Sequence, residues 1–221
     1  GLATVERLGR DGARLVIADK TDPAPVAEKI RAAGGTAEAI AADISQEADC
    51  AAMVEAAKSA YGRLDVLINC AGVNARNRIE DAGLDEFEWI MDVNLRGTFL
   101  ASRACYGAMC ESGWGRIINI ASQHALKGTL DKAHYCAANA GIIGFTKALA
   151  REGASKGVLV NAIAPGPVET DLIRGLSEEW RDAKLAELPL GRFAAATEIA
   201  PTAVMLASAD GAYYVGQTLS P

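Results

Sequence analysis

Histidine is almost absent from this 221-residue chain, which has only His124 and His134. The five cysteines never approach CxxC spacing. Cys50, Cys70, Cys105, Cys110 and Cys136 form an odd and irregular set. Neither a zinc centre nor a disulfide scaffold is therefore expected. They read as reduced, small apolar residues of a cytoplasmic protein. Positive charge is also scarce: 22 Lys and Arg stand against 28 Asp and Glu, a net charge of −6. A general nucleic-acid binder needs a clustered excess of cations, so that class is set aside. No apolar run approaches the roughly 20 residues that span a bilayer, so no membrane partner is expected. No secretory signal is visible. Internal repeats, low-complexity tracts and Pro/Ser-rich linkers are missing too.

Apolar residues are abundant. They make up 50% of the chain, enough for a sizeable core and too many for disorder. At roughly 150 residues per domain the length fits one large domain or two small ones. Without linkers, one fits best.

Two kinds of segment alternate. Near-continuous apolar runs with β-branched residues occur at Arg14–Asp19, Leu64–Asn69, Arg116–Ile120 and Val158–Ala164, as expected of parallel strands covered on both faces. Helical patterns lie between and around them, at Gly1–Arg10, Pro25–Ala33, Glu47–Tyr61, Leu84–Cys110, Ala133–Ser155 and Thr197–Ala207. This alternation predicts an α/β fold with a parallel sheet and right-handed crossovers. The start is unusual, because a dinucleotide-binding unit needs a strand and a Gly-rich turn before its first helix. The end, Gly216–Pro221, falls in or just after a strand. The chain is therefore expected to be clipped at both ends, with the first strand of the sheet upstream of Gly1.

Chemistry-bearing residues follow the strands. Asn69-Cys70-Ala71-Gly72 comes directly after one strand, at the carboxyl end where α/β sheets bind ligands. The small Ala71-Gly72 pair admits close approach of a ligand to the backbone, and an ordinary strand-end turn has the same look. Ser122 ends the next strand, and thirteen residues later Tyr135 opens a long helix. With Asn94 on the preceding helix, these polar side chains are placed to face one crevice. Singly, each has an ordinary role as a turn cap, a helix-bending residue or a core edge.

These residues together resemble the classical branch of the short-chain dehydrogenase/reductase family. The matching pieces are Asn69–Gly72, Asn94 within MDVNLRG, Ser122, Tyr135 and the stretch Pro165-Gly166-Pro167-Val168-Glu169-Thr170. Gly1 resembles the final glycine of the family's cofactor turn. The resemblance spans essentially the whole chain. It implies a Rossmann-type, doubly wound parallel sheet in three α/β/α layers, with residues 1–221 forming a single NAD(P)-binding domain. It also implies hydride transfer between a nicotinamide and a carbonyl or alcohol carbon. In that reading Tyr135 is the acid/base, Ser122 holds the substrate oxygen, and Asn94 maintains a water and proton path. The implied cofactor contacts are Gly1, Asp19, Asp43, Ile44, Asn69, Ala71, Gly72, Tyr135, Asn139, Pro165, Gly166, Val168 and Thr170, with Thr170 on the carboxamide. No metal is implied. Asp19 ends a strand where a carboxylate bonds the ribose 2′-hydroxyl and repels a 2′-phosphate, favouring NAD over NADP, with Lys20 softening that repulsion. Asp43-Ile44 is similar to the family's adenine contact, although Asp43 also reads as a helix cap.

One position departs from the family. Where the resemblance implies a catalytic lysine four residues after the tyrosine, this chain has Asn139. Bringing a phenol from ~10 down to ~7 takes about 4 kcal/mol of phenolate stabilisation. A cation ~4 Å away at an effective dielectric of ~20 supplies about that much. Asn139 is neutral, though it can still bond a ribose hydroxyl. Hydride transfer is therefore expected to be slowed by about 10²–10⁴. Lys132 and Lys127 precede the helix and are weighed, and disfavoured, as substitutes.

On the substrate side, Gln123, His124, Asn74, Asn77 and Arg76 are candidates, Arg76 for a substrate carboxylate. The stretch Asp171–Pro189 reads equally as a lid or as a surface helix pair. The apolar faces of Leu84–Cys110 and Ala133–Ser155, together with the resemblance, predict a homotetramer. The leading reading is an NAD-dependent oxidoreductase acting on a small-molecule secondary alcohol, sugar or ketone. The alternatives are a catalytically silent dinucleotide-binding protein and a 3-oxoacyl-(acyl-carrier-protein) reductase. The last predicts NADP preference and a basic docking patch, against which Asp19 and the acidic balance count.

Overall fold

The computed structural model describes residues 1–221 except Leu176 and the side chains of Asp171 and Leu172. Its elements run in order as α1 (Leu2–Arg10), β1 (Arg14–Asp19), α2 (Ala24–Ala32), β2 (Thr36–Ala41), α3 (Glu47–Tyr61), β3 (Val66–Asn69), α4 (Leu84–Ile90), α5 (Gly97–Ser112), β4 (Gly115–Ile120), α6 (His124–Lys127), α7 (Ala133–Gly153), β5 (Val158–Ile163), α8 (Asp171–Arg174), α9 (Glu178–Ala186), α10 (Ala196–Ala207) and β6 (Thr218–Leu219). β2 carries too little β-branched character to stand out in the sequence. It is extended because β1 offers it a full parallel ladder, from Arg14 opposite Thr36 to Asp19 opposite Ala41.

Among the described residues every strand pairing is parallel, and the strands form two sheets, β1-β2 and β3-β4-β5-β6. Helices cover both faces in a single Rossmann-like α/β/α domain. On one side α1 packs on β1, α2 and α10, and α10 packs on β4 and β5; on the other, α3 packs on β1 and α5, while α5 and α7 cover β3, β4 and β5. Contacts between helices of one layer thus join the two sheets.

Alternation along β4 and β5 explains their unbroken apolar runs. Ile117 and Val160 face Cys105, Met109 and Leu149 of α5 and α7. Ile118 and Ile163 face Ala203 and Leu206 of α10. With both faces buried, neither has a polar side to display.

The long helix anticipated over Leu84–Cys110 is interrupted. A π-helical stretch, Met91–Arg96, separates α4 from α5 and contains Asn94. Such insertions recur at functional sites. Gly97, just beyond it, sits so close to Ile44 that a Cβ there would lie 2.6 Å from the isoleucine Cδ1. Glycine is what lets α5 seat on that side chain.

All five cysteines are unbridged. Burial pushes the Cys50 thiol up to about 11 and the Cys105 thiol to about 12, as expected of inert apolar residues. Cys70 departs from the expectation and is exposed. No helix among the described residues is long and apolar enough to cross a membrane.

Beneath the carboxyl edge a chain of buried polar groups crosses the sheet. The Asn69 amide donates to Ser102 Oγ (3.1 Å) and to Asn119 Oδ1 (2.8 Å), and Asn119 donates to Thr146 Oγ1 (2.9 Å). It ties β3 and β4 to α5 and α7. Replacing its centre, Asn119→Leu, strands two buried partners and is expected to cost about 2–4 kcal/mol. Calorimetry should then show a melting temperature roughly 5–15 °C lower; an unchanged value would show that the chain holds nothing together.

Candidate active site

Parallel pairing sets Asn69, Ile120 and Ile163 at equivalent ends of β3, β4 and β5, so the segments following them open on one edge, while Asp19 ends β1 in the β1-β2 sheet. Cys70, Ala71 and Gly72 lie exposed there. The start of α1 is beside them, since a Cβ on Gly1 would lie 3.8 Å from Cys70 Sγ. Asn94 latches this turn from the π-helical stretch. Its Oδ1 accepts from Val73 N–H (2.8 Å) and its Nδ2 donates to the Val73 carbonyl (2.9 Å). Its own carbonyl accepts from Thr98 Oγ1 at 2.7 Å. The side chain thus holds the turn through one bond at each end of its amide.

Ser122, Tyr135 and Asn139 come together. Ser122 is buried just beyond β4, and its Oγ accepts from His124 N–H at 3.2 Å. Tyr135 is in the first turn of α7. Burial raises its phenol pKa above the ordinary value, while hydrogen bonding from Ser122 and from the Asn139 side chain pulls it down. Asn139, also buried, lies one turn along the helix and donates from Nδ2 to the Tyr135 carbonyl at 2.9 Å. Of these three groups only the phenol titrates, Ser122 and Asn139 being neutral.

Other predicted residues are placed differently from expectation. Asn69 faces inward, in the buried chain described above, rather than toward the edge. Lys20 does not neutralise Asp19: its Nζ pairs with Asp43 Oδ2 at 2.7 Å. That contact and hydrogen bonds from Ser45 hold the Asp43 carboxyl down at about 2. Asp43 is not the cap of α3, whose N-cap is Gln46. The Ile44 side chain is occupied in packing on Gly97, Leu100 and Cys50. Asp19 is exposed at the tip of β1, its Oδ1 accepting from Thr21 N–H (2.9 Å) and Oγ1 (2.8 Å). Arg76, expected to be free for a substrate carboxylate, is bound to Asp131 at 3.2 Å.

The Pro165–Thr170 segment follows β5 alongside Ser122. The Pro165 carbonyl accepts from Gln123 N–H (3.1 Å), and Gly166 N–H donates to the Pro221 carbonyl (3.0 Å). Thr170 is exposed. The next stretch forms α8 and α9 and is tied back by Arg181, which donates to both Glu169 oxygens (3.2 and 3.0 Å) and lies over the Phe193 ring. Nothing in sequence spacing announces a further pair, of a buried histidine with a half-buried glutamate. His134 Nε2 lies 2.7 Å from Glu86 Oε1, and that glutamate also accepts from Asn77 Nδ2 at 2.7 Å. The pair clamps α4 to the base of α7, next to Tyr135.

Comparison with known proteins agrees with this architecture. Residues 1–220 match the family described as Enoyl-(Acyl carrier protein) reductase. The chain is 37% identical to the 3-oxoacyl-[acyl-carrier-protein] reductase FabG of Vibrio cholerae, over 99% of this chain and 89% of that protein. It is 38% identical to the acetoacetyl-CoA reductase of Allochromatium vinosum, over 99% and 91%. It is also 38% identical to the short-chain reductase protein NovJ of Streptomyces niveus, over 99% and 87%. With its parallel α/β/α architecture, the chain belongs to the classical short-chain dehydrogenase/reductase family, NAD(P)-dependent oxidoreductases that act on alcohol and carbonyl groups.

Proposed function

We propose that this chain transfers hydride between NAD(H) and a secondary alcohol or ketone of the sugar, polyol or hydroxy-acid type. The meeting of Ser122 and Tyr135 over one crevice carries this reading. The carboxyl edge suits a dinucleotide. The first amides of α1 have no partner within the helix and stand beside the exposed Cys70–Gly72 backbone, a setting for a pyrophosphate. Asp19, with Lys20 engaged elsewhere, meets the adenosine ribose as an uncompensated carboxylate. Ala71, Gly72, Pro165, Gly166, Val168 and Thr170 line the way to the nicotinamide. We assign residues 1–221 to one dinucleotide-binding domain, the two sheets being parts of one layer.

When bound, the nicotinamide supplies or accepts the hydride. The chain's own groups handle the proton. Ser122 Oγ holds the substrate oxygen, and Tyr135 Oη gives that oxygen a proton during reduction or takes one during oxidation. Because burial raises the phenol pKa, the group rests protonated at neutral pH, which suits reduction. Oxidation needs the phenolate, so its rate should climb with pH until the phenol has titrated. Asn139 binds a ribose hydroxyl and leaves the phenolate without an adjacent charge. Asn94 keeps the Gly72–Val73 turn in place.

A second reading, carried by the names of the relatives, is reduction of a 3-oxoacyl thioester. NADH and NADPH oxidation with acetoacetyl thioesters, run beside NAD⁺ reduction with secondary alcohols, separates the two. Dinucleotide binding with no turnover in either assay would make the protein a silent binder. In the active direction Tyr135→Phe is expected to lower kcat at least about 10²-fold while sparing dinucleotide affinity. Asn139→Lys should raise kcat at neutral pH at least about tenfold and move the pH profile of oxidation to lower pH. No gain in rate would remove Asn139 as the impediment.

Cofactor preference gives a separate test. Asp19→Asn should narrow the preference for NAD over NADP by about tenfold or more, the effect of one charge contact. Equal binding of the two dinucleotides by the unmodified chain would overturn the assignment of Asp19.

We further propose a homotetramer built on α5 and α7. Met91, Leu95, Phe99, Gly141 and Phe145 line an apolar groove of about 490 Å³ on that face, with Phe99 42% exposed. Light scattering should report four chains, and Phe99→Asp should reduce that number; an unmodified chain that runs as a monomer refutes the assembly.

A further inference from the structure

We infer that the Lys132 ammonium, seated on the face of the Tyr135 ring, supplies the positive charge that Asn139 does not place beside the phenol. This rests on the proton-transfer role proposed for Tyr135. Lys132 Nζ lies 5.6 Å from the ring centroid. The lysine is half-buried, and among the described residues no carboxylate lies within ion-pair distance of it. The adjacent acid, Asp131, is taken by Arg76. Burial and the Arg76 charge lower the lysine's own pKa, so its position costs charge solvation that the ring face in part returns.

The segment is built to hold it there. Asp131 has φ +61°, the only non-glycine residue with positive φ among those described. Such a conformation persists where surrounding contacts over-determine it. Here those contacts are the Arg76 ion pair and the bond from Asn77 N–H to the Asp131 carbonyl at 2.8 Å. Lys132 is also the N-cap of α7, the end of a helix at which a cation is disfavoured. Helix electrostatics therefore do not account for a lysine at this place.

A cation on a ring face acts on ionisation as well as on packing. When the phenol loses its proton, the negative charge spreads into the ring carbons, and the attraction of an ammonium above them grows. The phenolate is favoured and the phenol pKa falls. The other groups facing Tyr135 do not supply this charge. His124 on α6 stands edge-on, ring centroids 6.4 Å apart, and burial, with the Lys132 charge, lowers its pKa so that it is neutral at pH 7. Lys127 of α6 and Lys184 of α9 act on that histidine as well. Cys136, next along α7, opposes ionisation of the phenol, and Ser122 and Asn139 are neutral donors. Arg76 and Asp131 largely cancel. Lys132 acts through the phenol, as a positioning residue.

The test reads the phenol directly, in the full chain. Tyrosines labelled at the ring carbon bearing oxygen are titrated by NMR, the Tyr135 signal being identified by its loss in Tyr135→Phe. Lys132→Met should raise the Tyr135 titration by about one pH unit, and Lys132→Arg should restore it. The pH profile of kcat for oxidation should move by the same amount with KM little changed. The gain from Asn139→Lys should be larger in the Lys132→Met background, because the two cations act on one phenol. An unshifted Tyr135 titration in folded Lys132→Met overturns the inference. A shifted titration with no dinucleotide-dependent turnover in any variant upholds the coupling and counts instead against the oxidoreductase reading of this chain.

Discussion

Parallel strand pairing is the constraint on which the rest of this molecule depends. Each parallel ladder commits neighbouring strands to run the same way, so every carboxyl end emerges on one edge and every return passes through a helix on a face. Cys70–Gly72, Ser122 and Pro165–Thr170 are far apart in the chain and share that edge because β3, β4 and β5, paired in one sheet, end there; Asp19 ends β1 in the other sheet. The helices cover both faces, and in doing so bring Asn94 and Tyr135 to the same edge from the side.

Buried polar groups keep that edge in order. Asn69, Asn119, Ser102 and Thr146 bond to one another below it, and Asn94 bonds the turn above. In an apolar interior such groups tolerate few arrangements, because an unpaired amide costs far more than a weakened contact. The crevice is thus held by neutral hydrogen bonds. Charge enters it from the rim, where Lys132 lies on the Tyr135 ring. A site that lacks the family's lysine keeps a cation near its phenol by a different route, through the ring face instead of along the helix.

Much of this was legible in the residues. β1 and α3 run as read, and β4, β5 and α7 differ by a few residues at their ends, because a strand buried on both faces and an amphipathic helix each leave a periodic trace. β2 leaves little trace, since Thr36–Ala41 is rich in alanine and owes its extended form to β1. The π-helical stretch is invisible for the same kind of reason: its sequence is helical, and the extra residue in its turn is set by packing on Val73 and Ile44. Side-chain partners left no trace in the spacing. Asn69 turns inward to Asn119, Lys20 reaches Asp43, and Arg76 is held by Asp131.

By itself the sequence determined the fold class and the family, because hydrophobic period and motif spacing are properties of the chain alone. Only the tertiary structure decided which acid each cation meets, which way each amide turns and where Lys132 comes to rest. Those outcomes depend on distances between segments that are remote in sequence, and a Coulomb or hydrogen-bond partner is chosen by distance in space.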